Sequence, residues 1–309
     1  MNNKKIVVHL SGGLGNQLFQ FAAGYSLAIE QSRSLHVNTN WFDNPWFRFI
    51  NEGSHQNKRR LDVLEFKAAA EVSKDRVKTP SDGRLERWLQ SSSERNRRFF
   101  GMATELSFTD NGWVNASSIR RIVGYFMSPK YFTNLNVREL FSELSLPLSS
   151  AGTNLREEVE KEISIGVHVR LGDYLKSSDI LVPSEKYFIE GINLLKTFYD
   201  NSPRVLLFTD DPNELRARFP SLCKIGQIIY PTKEITSTEN LLSLAGCSSF
   251  VCSNSTFSWW GAELSGAAKG MIVRPSYFYD DLDKSNTAKD LWSLESHSLH
   301  PITGSPALL

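Results

Sequence analysis

The chain has almost no charge of one sign to spare. Its 35 Lys and Arg stand against 34 Asp and Glu, a formal net charge of +1 over 309 residues. Binding of polyanions through an overall positive field is not indicated, so nucleic acid is not an expected partner, although local basic patches remain open. Cysteine is scarce. Cys223, Cys247 and Cys252 are odd in number and form no C-x-x-C pair. They read as reduced core residues in a reducing compartment, not as a disulfide framework. No apolar run reaches the ~18–20 residues that span a bilayer. The amino terminus, Met1-Asn2-Asn3-Lys4-Lys5, leads into a short apolar stretch with no secretory cleavage site. These absences predict a cytoplasmic protein. Internal repeats and low-complexity tracts are also missing, which excludes solenoids and arrays.

What is present is a 40% hydrophobic content over 309 residues, enough for two ordinary domains. Ser145 to Thr153 has linker composition, and the boundary is placed there, giving domains at residues 1–150 and 151–309. The first domain opens as strand, turn and helix. Ile6 to Leu10 is β-branched and apolar, Ser11 to Gly15 is a turn, and a helix is expected from Asn16 to Gln31. Its apolar face is read as Leu18, Phe21, Ala22, Tyr25 and Ala28 or Ile29. A strand at Leu35–Asn38 follows, then a polar, Arg- and Ser-rich stretch from Asp43 to Asn115 in which helices are placed, then a strand at Ile119–Phe126. Beyond the boundary, strands are expected at Ile163–Val169, Val205–Thr209, Gln227–Tyr230, Phe250–Cys252 and Met271–Val273. Helices alternate with them at Ser184–Tyr199, Pro212–Phe219, Thr238–Ala245 and Thr256–Ala268, with Ser184 and Thr238 as caps and Pro212 in a first turn. Strands alternating with helices imply a parallel, doubly wound α/β sheet, which binds ligands beyond the carboxyl ends of its strands.

Three segments end at such positions. In Ile163-Ser-Ile-Gly-Val-His-Val-Arg-Leu-Gly-Asp-Tyr174, alternation puts Ile163, Ile165, Val167 and Val169 on one face and Ser164, Gly166, His168 and Arg170 on the other. A guanidinium at Arg170 can grip two phosphate oxygens; the residues are equally compatible with an Arg170–Asp173 salt bridge and a hydrogen-bonded His168. In Val205-Leu-Leu-Phe-Thr-Asp-Asp-Pro212, Asp210 and Asp211 could accept hydrogen bonds from a ribose or a guanine, or Asp211 could cap the helix that Pro212 starts. The D-x-D spacing by which many sugar transferases hold a metal is absent. In Phe250-Val-Cys-Ser-Asn-Ser-Thr-Phe-Ser-Trp-Trp-Gly-Ala262, a strand runs into Ser253, Asn254, Ser255, Thr256 and Phe257 at a helix start, a ready phosphate site; Trp259 and Trp260 fit the core better than a sugar platform. In the first domain, Gly12-Gly13-Leu14-Gly15-Asn16-Gln17-Leu18 is an incomplete dinucleotide fingerprint. Leu18 replaces the third glycine and Asn38 the acidic ribose partner, which argues against NAD. Gly13 and Gly15 still permit close backbone approach, with Asn16 and Gln17 as amide donors; the alternative is a tight turn.

Taken in order, G-G-L-G-N-Q-L-F-Q, then H-x-R-x-G-D-Y, F-T-D-D-P and S-N-S-T-F-S-W-W-G-A resemble the inverting α-1,2-fucosyltransferases of bacterial type, from about His9 to Val273. Gly124-Tyr125-Phe126 with Lys130-Tyr131-Phe132 is similar to the same family's first-domain segment. The resemblance implies a GT-B-type α/β architecture, two Rossmann-like domains facing across a cleft, with the first on the acceptor side, the second binding GDP-fucose, and a tail that could return to the first. It implies GDP-fucose as donor, no cofactor, no metal, and transfer to the 2-hydroxyl of a terminal galactose, as in O-antigen or other surface-polysaccharide synthesis. By motif match, Arg170 lies on the β-phosphate, His168, Asp210 and Asp211 near ribose and guanine, Ser253, Asn254, Ser255, Thr256 and Phe257 around the pyrophosphate, and Asn16 beside the donor. Leu171 stands where many members carry a second arginine, which puts a two-arginine clamp in doubt.

Arg170, Asp173 and His168 form the expected catalytic set, with Asp173 as candidate base and His9 and Glu263 as outside candidates. Arg84-Leu-Glu-Arg-Trp-Leu and Arg95-Asn-Arg-Arg-Phe-Phe could touch a lipid-linked acceptor or an anionic membrane surface, though a solvated helix face fits them better. The rival readings are a transferase of other linkage or GDP-sugar, and a non-catalytic GDP- or glycan-binding protein.

Overall fold

Strand β1 (Lys5–His9) is built from Ile6, Val7 and Val8, all buried, because it lies inside a sheet with neighbours on both edges. The computed structural model describes residues 5–43, 59–74, 101–109, 112–178, 180–230, 232–267, 270–277 and 296–306, and the chain divides into two units, Met1–Leu146 and Pro147–Leu309.

In the first unit, β2 (Ser34–Asn38), β3 (Ser73–Lys74) and β4 (Met102–Ala103) are followed by a small antiparallel pair, β5 (Phe108–Thr109) and β6 (Gly112–Trp113), and by β7 (Arg121–Ile122). The main sheet runs β3-β2-β1-β7-β4 with every pairing parallel. Helix α1 (Leu14–Glu30) lies close on β1, where a Cβ on Gly24 would come within 2.8 Å of Val8. Burial extends around most of α1, including Gln17 and Gln20, so its surface is not the single stripe expected; Ile29, assigned to the apolar face, is 53% exposed. The strand expected over Ile119–Phe126 shrinks to Arg121–Ile122, because the chain breaks at Gly124 and enters the left-handed region at Phe126. Of the Asp43–Asn115 stretch, the described parts hold three short helical turns, Asp62–Glu65, Lys67–Ala70 and Glu105–Ser107, besides β3 to β6. Both basic aromatic segments, Arg84–Leu89 and Arg95–Phe100, lie outside the described residues.

The second unit carries β8 (Ser164–Val169), β9 (Arg204–Thr209), β10 (Gln227–Ile229), β11 (Ser249–Val251), β12 (Ile272–Pro275) and β13 (His297–Leu299), all parallel, in the order β10-β9-β8-β11-β12-β13. Its longer helices are α2 (Ser150–Glu160), α3 (Glu185–Lys196), α4 (Pro212–Arg218), α5 (Ser237–Ala245) and α6 (Thr256–Ser265). The alternation in β8 is as expected. Ile165, Val167 and Val169 join Tyr187, Phe188 and Ile192 of α3 in one core. On the other face a Cβ added at Gly166 would sit 3.0 Å from Leu244 of α5 and 2.8 Å from the Cys247 sulfur just beyond it, and one at Gly261 of α6 would come within 2.6 Å of Leu244. Each of these fully buried large side chains contributes about 1.5–3 kcal/mol. Ile163 does not take part; it precedes the strand and is exposed.

Two boundaries differ from the sequence reading. The expected linker already contains the start of α2, capped by the Ser149 hydroxyl, which accepts the Gly152 N–H. Thr236, not Thr238, caps α5. It forms a capping box with Glu239, whose second oxygen accepts the Ser149 N–H, and Thr238 is buried within the first turn. The described part of the tail adds β13 to the second sheet, and the Pro301 carbonyl accepts the Ser184 N–H. Cys247 and Cys252 are buried free thiols, with Cys223 partly buried.

Candidate active site

Strand order places the switch point of the second sheet between β8 and β11: the chain moves from β8 outward through β9 to β10, then returns to β11 on the other side of β8. Open α/β sheets take ligands where order reverses in this way. The three motif segments converge there because they are the carboxyl ends of β8, β9 and β11.

Arg170 follows β8 directly and its side chain is 19% exposed. Its Nε and Nη2 donate to Asp173 Oδ1 at 3.0 and 2.7 Å, and its Nη1 meets Asp210 Oδ2 at 3.0 Å. Asp210 Oδ1 accepts the Leu171 N–H at 2.9 Å. Gly172 makes room for this carboxylate, since a Cβ there would come within 2.5 Å of Asp210 Oδ2. The Tyr174 ring underlies the guanidinium at 5.7 Å, and its hydroxyl donates to the Asn254 carbonyl, tying the loop after β8 to the loop after β11. Burial works against the charge on Arg170, but Asp210 and Asp173 outweigh it and raise the guanidinium further above its usual range.

The salt bridge left open by the sequence is thus present, with a second carboxylate added. Asp210 serves as an anchor for Arg170. Asp211 is the cap of α4: its Oδ1 accepts the N–H groups of Asn213 and Glu214, the capping role that the sequence left open.

His168 is hydrogen-bonded, as one of the two sequence readings had it. It is 5% exposed, its Nδ1 lies 2.6 Å from Ser258 Oγ and 3.3 Å from Ser253 Oγ, and its ring lies against Phe257. Burial, helped by the positive charge of Arg170, pushes its pKa down to about 3. Held neutral, the imidazole braces the site through its Nδ1. Ser258 is the residue the sequence reading missed. Its hydroxyl accepts the Ser253 N–H and contacts both Ser253 Oγ and His168 Nδ1, fixing the β11–α6 turn to β8. A polar residue between Phe257 and Trp259 in an apolar first turn was the available signal.

Ser253 and Asn254 lie beneath the surface, and the Asn254 amide donates to the Leu181 carbonyl. They shape the cradle, while Thr256 and Phe257 are its partly exposed members. Ser255 caps α6 by accepting the Phe257 N–H, and that first turn has no acidic residue, so the helix presents an uncompensated positive end. Trp259 and Trp260 are core, as the sequence favoured.

In the first unit, Gly12 has a φ of +75° and Gly13 begins α1. Gly15 is buried and Asn16 partly exposed. Gln17 is fully buried. Its Nε2 donates to the carbonyls of Gly12 and Arg60, and its Oε1 accepts the Val63 N–H. This withdraws it from the expected ligand donors. His9 lies buried at the end of β1, and Glu263 is partly buried on α6.

Comparison with known proteins places the chain in a family. A curated α-1,2-colitosyltransferase of Escherichia coli is 24% identical over 297 residues, covering 93% of this chain and 97% of its own. The O-antigen biosynthesis glycosyltransferase WbnK of Escherichia coli is 22% identical over 307 residues, covering 92% and 98%. Among solved structures, the fucosyltransferase NodZ from Bradyrhizobium shares the fold, with a TM-score of 0.50 and 15% identity over 85% of this chain and 93% of that one. The model of glycosyl transferase family 11 matches residues 123–294, which include all three carboxyl-edge segments of the second sheet. This chain belongs to glycosyl transferase family 11, as its resemblance to the α-1,2-fucosyltransferases implied.

Proposed function

We propose that this glycosyltransferase moves L-fucose from GDP-fucose to the 2-hydroxyl of a terminal galactose, with inversion and without a metal, during surface-polysaccharide synthesis. The observation that carries the reading is Arg170 at the β8–β11 switch point beside the uncompensated amino end of α6. Both favour a dianionic group, and the guanidinium fork matches two phosphate oxygens.

The donor's β-phosphate takes the Nε–Nη2 edge of Arg170 in place of Asp173. As the bond from fucose to GDP breaks, charge grows on that phosphate while the sugar ring becomes cationic. Arg170 and the start of α6 stabilise the leaving group, work for which other enzymes recruit a metal. Asp210 holds the guanidinium in place throughout. The acceptor hydroxyl attacks from the face opposite GDP and loses its proton late; Asp173, once released from Arg170, is the assigned base. The acceptor is a galactose-containing glycan, free or lipid-linked; among the described residues no helix is long and apolar enough to cross a membrane. A second reading, transfer of colitose by the same geometry, is favoured by the colitosyltransferase match.

Calorimetric titration in EDTA with GDP, GDP-fucose, UDP and NAD tests the donor, followed by linkage analysis of the product made with GDP-fucose or GDP-colitose. Selective, metal-free binding of the guanine nucleotides supports the reading. Binding of UDP or NAD instead, or a requirement for a divalent ion, overturns it.

A further inference from the structure

The turn after β7 is held at unusual expense. Val123 donates to the Ala103 carbonyl as the sheet's last contact, and the backbone then passes through Gly124 and reaches φ +51° at Phe126. A bulky aromatic residue in the left-handed region is strained and persists only where its surroundings enforce it. Here they do so from three sides. One carboxylate oxygen of Glu105 accepts both the Tyr125 and the Phe126 N–H groups. Gln20, buried in α1, donates to the Gly124 carbonyl at 3.0 Å and to Ser11 Oγ at 3.0 Å, and accepts the Ser11 N–H at 2.9 Å. From beneath, the Phe126 ring is fully buried against Trp113 and Tyr131, with centroids at 5.7 and 5.2 Å. A side chain at Gly124 would be strained at its φ of +154° and would displace the Glu105 carboxylate that braces the turn.

All this bracing presents one side chain. Tyr125 is 46% exposed, while Phe126 beside it has no exposure at all. Its position is also specific. The first sheet runs β3-β2-β1-β7-β4, so its own switch point lies between β1 and β7. Gln20 ties the turn to Ser11, the residue just past the end of β1 and its flanking Leu10. Tyr125 therefore stands at the ligand edge of the first sheet, on a rigid mount.

We propose that Tyr125 is a sugar-stacking platform that binds a neutral pyranose of the acceptor. This rests on the reading of the protein as a glycosyltransferase with its nucleotide chemistry at Arg170. An exposed aromatic face offers broad contact to the C–H face of a sugar ring at little conformational cost, and the phenol tip suits the hydroxyls around it. The anionic part of the donor has its partners in the second unit, whereas Tyr125 offers a ring and no charge. Glu105 is a positioning residue: it acts by holding the turn.

The test uses Tyr125→Ala, Tyr125→Phe and Glu105→Ala in the full chain. Saturation-transfer NMR with methyl galactoside, methyl glucoside and methyl N-acetylglucosaminide reads sugar binding without donor, calorimetry reads GDP binding, and acceptor KM is read by turnover. At least one of the three glycosides should bind the wild type. Tyr125→Ala should abolish that signal and raise acceptor KM about tenfold, the weight of one aromatic contact. GDP affinity should stay within about twofold, a change too small to signal a lost contact, and an unchanged urea-unfolding midpoint reports an intact first unit. Tyr125→Phe keeps the ring and loses only the phenol's hydrogen bond, so it should raise acceptor KM clearly less than Tyr125→Ala, and Glu105→Ala should reproduce the acceptor defect with a normal GDP affinity. The platform is overturned if none of the glycosides binds the wild type, if Tyr125→Ala leaves binding and acceptor KM unchanged, or if it weakens GDP as much as the acceptor. If the wild type binds a glycoside through Tyr125 yet does not use a GDP-sugar, the platform stands and the donor assignment falls.

Discussion

Lowering the pH from about 7.5 to about 5 should destabilise this protein through one buried histidine. His168 ionises near 6.5 in an unfolded chain and at about 3 in the fold, because burial and then the charge of Arg170 oppose its proton. The native pKa is depressed, so the unfolded state binds the proton first. Stability is therefore unaffected by this group above about pH 6.5, falls as pH drops below it, and levels off near pH 3. At pH 5 the gap from 6.5 is about 1.5 units, and at 1.36 kcal/mol per unit the loss is about 2 kcal/mol. Carboxylates titrate in the same range, so the measurement is a difference. Urea unfolding of the wild type and of His168→Asn is followed between about pH 7.5 and 5. The variant should be less stable at neutral pH, since Asn fills less of the space beside Phe257. Its stability should also decline less on acidification, by about 2 kcal/mol. Parallel pH curves for the two proteins would refute the account of His168 as an enclosed neutral strut.

Arg170→Lys keeps the charge but loses the fork, and GDP-sugar turnover should fall about 10²–10³-fold in a steady-state assay. Asp173→Asn removes an anion from the phosphate-facing edge of Arg170, so calorimetry should show GDP binding at least as tightly as in the wild type while transfer drops; weaker GDP binding would contradict the exchange of Asp173 for phosphate. Ser258→Ala strips the partner from the Ser253 N–H and from His168 Nδ1, which should cost about 1–3 kcal/mol in urea unfolding and raise donor KM.

The doubly wound second sheet was legible because its signals are local. Each strand is a short β-branched run ending in a polar cluster, and β8 carries the period-two pattern that put His168 and Gly166 opposite Ile165 and Val167. The convergence of three motifs followed from strand order and the carboxyl-edge rule. The exchange of roles inside the site was not legible. Whether Asp210 meets a ribose or Arg170, and whether Asp211 faces a ligand or caps α4, depends on a few ångströms that spacing does not encode. Gln17 reads as a helix-start donor until the Arg60–Val63 segment, more than forty residues away, claims its amide. The strand expected over Ile119–Phe126 failed for a similar reason. Its composition is strand-like, but Glu105 imposes a turn that pairing alone would not form.

Arg170 standing between Asp173 and Asp210 also governs what the protein ignores. A solitary guanidinium at a strand end would collect any small oxyanion, and inorganic phosphate is abundant in cells. Here the rival carboxylates are tethered, at effective concentrations of mM or above, so a visitor that brings charge alone is outcompeted. A ligand that adds contacts beyond its phosphates can tip the balance. The internal pairing thereby turns a general oxyanion receptor into a discriminating one, through repulsion of the wrong guests as much as attraction of the right one.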